Sequence, residues 1–249
     1  MTLILDPSGA SNIRTTDSTA FNLDLNAIVE EAFERCGAEV RSGYDMRTAR
    51  RSLNLLLLDW ANRGINLWTV EQGEQVLTYN DDTYDLPVDT VDLLDHVIRT
   101  GTGTNQLDIN ITRISGSTYS SIPNKNATGR PIQVWVNRQS GATNSVGTVQ
   151  YPKIVVWPKP DNSTTYTFVY WRLRRMQEAG NGVNGQDIPF RFLPCLIAGL
   201  AYSLAMKIQG AGDRIQMLKA IYDEQWALAA EEDREKAAVR FVPRQTFLR

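Results

Sequence analysis

The chain has 249 residues, with 26 Lys+Arg against 28 Asp+Glu and a formal net charge of -2. Hydrophobic residues make up 42%, enough for a sizeable core, so disorder of the whole chain is excluded. A chain built to grip nucleic-acid phosphates carries a clear basic excess, which is absent here. At roughly 100–200 residues per domain, the length allows one large domain or two small ones.

Residues 1–22 are polar and rich in Ser, Thr and Asn, and read as an extended arm. The opening MTLILDPSGA has no basic region and no apolar run of signal-peptide length. Elsewhere uninterrupted apolar runs are short, such as Leu55–Leu58 and Trp226–Ala230, the stretch around Leu196–Met206 is broken by Gly199 and Ser203, and none nears the ~20 residues of a membrane span. A protein without a membrane segment or export signal is expected.

Residues 25–38 place Ile28, Val29, Ala32, Phe33 and Cys36 on one helical face, with Asp24 as N-cap and Gly37 as stop. Ser42 and Asp45 have capping-box spacing before a second helix over 43–63. Its stripe is Ala49, Leu53, Leu56, Leu57 and Trp60. Leu55 and Leu58 extend the apolar character to nearly all sides, which predicts a central helix or one seated against a neighbouring subunit.

From Trp68 to Arg175 the period changes to two. Strands are predicted at 75–79, 83–86, 96–100, 107–114, 132–138, 153–157 and 165–172. Polar residues at alternate positions point to half-solvated antiparallel strands. This region carries 10 acidic and 10 basic residues, so it is electrically neutral. A Gly/Asn-rich loop follows, then a helix from Pro194 to about Gln209 and a last helix over 214–238 with Asp213 and Gln216 at its start. The closing stretch 239–249 holds three Arg, two Phe and no acid, the chemistry of a docking strand.

The predicted organisation is an arm (1–22), the first half of a helical bundle (23–66), a β-subdomain (67–175), a loop (176–188), the second half of the bundle (189–238) and a C-terminal docking tail (239–249). The fold class is α+β: a four-helix bundle from the N- and C-terminal segments with an inserted antiparallel β-subdomain and an extended C-terminal tail.

No phosphate loop, dinucleotide fingerprint, CxxC or nucleophile elbow occurs. With His96 as the single histidine, a poly-histidine metal site is excluded. A Ser-His-Asp triad would have to use His96 near Asp92 and Asp95, and no elbow accompanies it. Cys36 and Cys195 sit in apolar helical patterns and read as buried reduced thiols. The carboxylate pairs Asp81/Asp82, Asp92/Asp95 and Glu231/Glu232 read as turn or solvated-helix residues rather than a catalytic pair. No cofactor, metal site or catalytic residue is expected. Trp135, Trp157 and Trp171 could form a sugar platform, but read as strand core. Of the 26 basic residues 20 are Arg, the residue type favoured at interfaces. Arg47, Arg50 and Arg51 share a helix face and could touch phosphate or pair with acids of a neighbouring subunit; without a basic balance they read, with Leu55 and Leu58, as a subunit–subunit contact. Arg172, Arg174 and Arg175 form a second basic run.

Three stretches, RSLNLLLLDWANRGINLW (51–68), RISGSTYSSIPNKNATGRPIQVWVNRQ (113–139) and IPFRFLPCLIAGLAYSLAMK (188–207), together resemble the head-to-tail adaptor proteins of short-tailed bacteriophages, also called tail tubular or tail accessory proteins. The resemblance spans roughly 25–240. It implies a twelve-subunit homo-oligomeric ring below the portal protein, with helical bundles as the wall and β-domains facing outward or toward the next tail component, a nozzle or fibre protein. It implies C-terminal segments that clamp the portal, here through Phe241, Pro243, Phe247 and Leu248 as anchors and Arg240, Arg244 and Arg249 as charged contacts. Double-stranded DNA would pass through the ring without specific binding. The implied location is the neck of the virion, with the host cytoplasm as the place of assembly. The alternative reading is a carbohydrate- or receptor-binding tail module worked by the β-subdomain. An enzyme using two carboxylates is a third.

Overall fold

Asp24 opens the first helix, α1 (Leu25–Cys36), by accepting a hydrogen bond at Oδ1 from the Ala27 amide at 2.8 Å. The helix buries Ile28, Val29, Ala32, Phe33 and Cys36. Gly37 then takes φ of 75° and donates to the Glu34 carbonyl at 2.8 Å, the left-handed stop that only glycine adopts without strain. The second helix, α2 (Gly43–Asn62), starts with the expected box. The Asp45 carboxylate accepts from the Ser42 amide and hydroxyl, each at 3.0 Å, and the Asp45 amide donates back to Ser42 Oγ at 3.3 Å. These bonds, that from the Ser42 hydroxyl first, hold the Asp45 carboxyl below the usual carboxylate range.

The structure, a computed structural model, describes residues 23–64, 67–139, 143, 146–180 and 186–234. The predicted arm at 1–22 and tail at 239–249 lie outside the described residues. The fold is α+β, with five α-helices among the described residues. The chain divides into two units. One takes the residues up to Leu56 together with Glu178–Glu231; the other takes Leu57–Gln177 and the residues from Glu232 onward.

The first unit gathers α1, most of α2, α4 (Leu193–Ala205) and α5 (Ile215–Glu232). Its most buried helix is α4, with 10 of 13 residues inside. Pro194 occupies its first turn, where a missing amide hydrogen costs nothing. Helix α1 packs on α4, and the Cys36 thiol donates to the Ala201 carbonyl at 3.1 Å. Burial pushes that thiol up; both cysteines are buried and unbridged. Gly199 is the point of closest approach: a methyl carbon there would lie 2.8 Å from both the Leu56 side chain of α2 and the Tyr222 ring of α5. Tyr202 stacks on Tyr222 with centroids 6.3 Å apart, and Phe192 meets Trp226 edge-on at 6.2 Å. Helix α5 begins through a 3₁₀ turn at Gly212–Arg214.

The expected central role of α2 falls to α4 instead. Helix α2 buries Ala49, Leu53, Leu56, Leu57 and Trp60, but Leu55 and Leu58 are 63% and 60% exposed. Two leucines on the outward face do not make a helix central when α4 offers Gly and Ala for close packing.

The second unit is built on two sheets. The first joins β1 (Val70–Leu77), β10 (Tyr166–Arg174), β3 (Thr90–Thr100) and β4 (Leu107–Asn110) in that order, all antiparallel. The second joins β2 (Thr83–Asp85), β8 (Lys153–Trp157), β7 (Gln133–Asn137) and β5 (Thr112–Ile114), with β5 parallel to β7. A short parallel pair, β6 (Thr128–Gly129) with β9 (Lys159–Pro160), stands apart. Leu77, Leu93, Ile98, Phe168 and Tyr170 of the first sheet share one core with Tyr84, Val134, Val136, Ile154 and Val156 of the second. The two sheets therefore bury their inner faces against each other as a sandwich.

The predicted strand over 107–114 is two strands in different sheets. Residues Leu107–Asn110 pair with β3, and Thr112–Ile114 pair with β7. Ile111, between them, packs against the shared core. Alternation alone does not reveal such a crossing, because it continues on both sides of it.

Candidate interaction surfaces

The arginines of α2 line an open cup of about 520 Å³ with Tyr44, Asn54 and Glu178. The Arg50 guanidinium donates from Nε to the Ala179 carbonyl at 3.0 Å, and the Ala179 amide donates to Asn54 Oδ1 at 2.8 Å. One helical turn separates Arg50 from Asn54, so the pair pins residue 179 onto α2. Arg47 and Arg51 remain exposed. Arg51 donates to Thr48 Oγ1 at 3.3 Å, and no described residue gives Arg47 a hydrogen bond or ion pair. Leu55 continues the outward face. Leu58 lines a second hollow, of about 220 Å³, with Thr69, Val91, Leu173 and Met176.

Sequence reading did not find Tyr44, Asn54 or Glu178. The signal for Asn54 was its i, i+4 spacing from Arg50. Glu178 comes from a loop far along the chain and gave no signal.

The second basic run is consumed within its own unit. Arg172, on β10, donates to Asp89 Oδ1 at 2.5 Å and Glu71 Oε2 at 2.8 Å, and Arg174 reaches Glu71 Oε1 at 2.7 Å. Arg175 donates to the Val88 carbonyl at 2.7 Å. Burial would raise the Asp89 carboxyl, but the bond and charge of Arg172 override it and hold the group below its ordinary value. On the same sheet Arg99 binds Asp108 through two nitrogens, at 2.9 and 3.1 Å, and Glu74 at 2.7 Å.

The carboxylate pairs have structural partners. Asp81 accepts from the Thr83 amide at 3.3 Å, and Asp82 from the Thr83 hydroxyl at 2.8 Å, in a turn where Asn80 takes φ of 61°. Tyr84 closes that turn, accepting from the Thr78 amide at 2.9 Å; burial pushes its hydroxyl up to about 12. Asp92 pairs with Arg113 at 2.7 Å and Arg138 at 3.4 Å, and Asp95 accepts from the His96 amide at 2.8 Å. Glu231 and Glu232 are exposed at the end of α5. His96 is buried and stacks on Phe168 at 5.8 Å. Burial lowers its pKa, so the imidazole is neutral near pH 7. Among the described residues, no group of three or more His, Cys, Asp or Glu is placed to hold a metal ion. No helix among them is long and apolar enough to cross a membrane.

The three strand tryptophans are not core, contrary to expectation. All are half-buried, while Val134, Val136, Ile154 and Val156 fill the interior. Trp135 carries a short helix, α3 (Gly116–Ser120): Tyr119 stacks on it at 5.4 Å, and a methyl carbon on Gly116 would lie 3.3 Å from its ring. The Trp157 indole donates to the Asn124 carbonyl at 3.0 Å. Both rings thus serve as floor for the segment 116–124. Trp171 belongs to the other sheet, so the three form no common platform.

The SU10 adaptor protein family matches residues 25–244, most of the chain, and the chain belongs to that family. A search among curated proteins gave no match. It is thus a phage adaptor-type protein with a structural role. Membership implies contact with portal and tail components at the virion neck.

Proposed function

We propose that this chain is one subunit of a ring, of twelve copies, seated below the portal of a short-tailed phage and joining it to the tail. The family match over 25–244 carries the reading. On α2, the exposed Leu55 and Leu58 and the arginines Arg47, Arg50 and Arg51 are the proposed subunit–subunit residues, large apolar side chains and arginine being favoured at interfaces. The tail residues Arg240, Phe241, Pro243, Arg244, Phe247, Leu248 and Arg249 are the proposed portal clamp, and the next component below is a nozzle or fibre protein.

DNA would pass through the ring without being retained. Phosphate contacts add affinity cumulatively, so a conduit needs a near-neutral chain, and a net charge of -2 suits it. Assembly would occur in the host cytoplasm before the particle leaves. Imaging the neck of the particle with this chain traced in it tests the reading. A closed ring between portal and tail is the expected result; a single copy bound peripherally would end it.

A further inference from the structure

We propose that the arginine face of α2 seats against the acidic face of α5 from the next copy of this chain. The proposal rests on the ring reading above and names the two surfaces that meet. Helix α2 turns Arg47, Arg51 and Leu55 outward, one turn apart in succession. Helix α5 buries Leu218, Tyr222 and Ala229 and turns Lys219, Asp223, Glu224 and Leu228 outward. Leu228 is 57% exposed, close to the 63% of Leu55.

The two faces are complementary in charge and in spacing. Among the described residues, Arg47, Asp223 and Glu224 have no ion pair or hydrogen bond. Four residues separate Arg51 from Leu55, and four separate Glu224 from Leu228. With the two helices parallel, one alignment sets Arg51 on Glu224 and Leu55 on Leu228 together. Arg47 then lies one turn back, level with Ala220, between Asp223 and the exposed Lys219. Guanidinium–carboxylate pairs give such a contact its register, and the leucine pair excludes water from beside them.

The two patches are different surfaces of one copy. The contact is therefore heterologous, the kind that runs head to tail and closes into a cycle when the rotation allows. A symmetric dimer made by one patch meeting itself would oppose like charges on both sides.

The test uses the full chain and charge reversal. Self-association of the wild type is measured by sedimentation velocity at low salt, up to ~1 mM protein, where even weak contacts register. Two variants are compared, Arg47→Glu with Arg51→Glu, and Asp223→Lys with Glu224→Lys. Each alone should associate at least roughly tenfold more weakly, because like charges then face each other. An equimolar mixture of the two should recover association, since each variant's altered face matches the other's. A misfolded variant cannot produce that recovery.

Wild-type association that both variants retain unchanged overturns this pairing and leaves the ring reading to the image of the neck. A wild type that stays monomeric throughout also overturns the pairing, and the image again decides the ring separately. Loss of duplex-DNA binding in the arginine variant, with self-association untouched, would assign the cup to phosphate and overturn the proposal as well.

Discussion

Tyr170 lays its ring over Gly73 on the neighbouring strand, and the two are direct partners in the β1–β10 register. A methyl carbon on Gly73 would fall 2.5 Å from the ring's Cζ. Tyr170 is itself 5% exposed and stacked on Phe168 at 5.6 Å, so the ring has little room to retreat. Gly73→Ala should destabilise the second unit by roughly 1–3 kcal/mol, as overpacking of a filled core does. Urea unfolding followed by tryptophan fluorescence measures it; a variant as stable as the wild type would show that the ring moves freely.

Glu71 serves two arginines at once. Its carboxylate holds Arg172, whose side chain is 11% exposed, and Arg174, at 13%. Glu71→Ala removes one carboxylate from each of these two largely buried cations, while Arg172 keeps Asp89 and Thr90 and Arg174 keeps the Arg175 carbonyl. The expected loss is about 1–3 kcal/mol. Glu71→Gln should lose less, because an amide oxygen still accepts. Equal losses in the two variants would assign the effect to packing.

His96 makes the sandwich sensitive to acid. Its folded pKa lies below the ordinary value of 6.5, so between the two values the unfolded chain binds a proton that the folded chain does not. Its contribution to stability is complete above 6.5 and declines as pH falls through the folded pKa, by at most about 1.4 kcal/mol per pH unit. His96→Phe should flatten the dependence between pH 7.5 and 5.5. Denaturation midpoints of the two proteins across that range decide it; parallel curves would place the acid sensitivity elsewhere.

Deleting 239–249 should abolish attachment to the portal and leave the circular dichroism spectrum of the folded part unchanged. Co-sedimentation with portal particles measures attachment. Unchanged attachment would remove the tail from the proposed clamp.

Asp81→Asn with Asp82→Asn should leave particle assembly and infection normal, since both carboxylates work in a turn with Thr83. Plaque counts and particle imaging report it. Loss of a hydrolytic activity in this double variant would count for the enzyme reading.

Local chemistry was the legible part of this sequence. Asp24 and the Ser42–Asp45 box act through atoms three residues apart, so spacing alone announced them. Strand β8 was read over the same residues, 153–157, because apolar residues and flanking turns mark it on both sides. Strand β1 was read only from 75, whereas it begins at Val70 and carries Glu71 and Glu74 in its first half. Those acids face outward to Arg172, Arg174 and Arg99, partners that lie 25 or more positions away and cannot be seen in a local window. Helix α3 was missed for its brevity, although Ser115 caps it through the Thr118 amide at 3.1 Å. Of the cup, the three arginines were visible as a face of α2. Its far side, Glu178, depends on a chain reversal that no period encodes.

The crossing at Ile111 has a mechanical corollary. A single unbroken run of backbone is hydrogen-bonded into one layer by Leu107–Asn110 and into the other by Thr112–Ile114. The layers are therefore stitched through their thickness, like a laminate sewn with its own thread. Delamination would demand rupture of one of these two seams before the greasy filling between them could part.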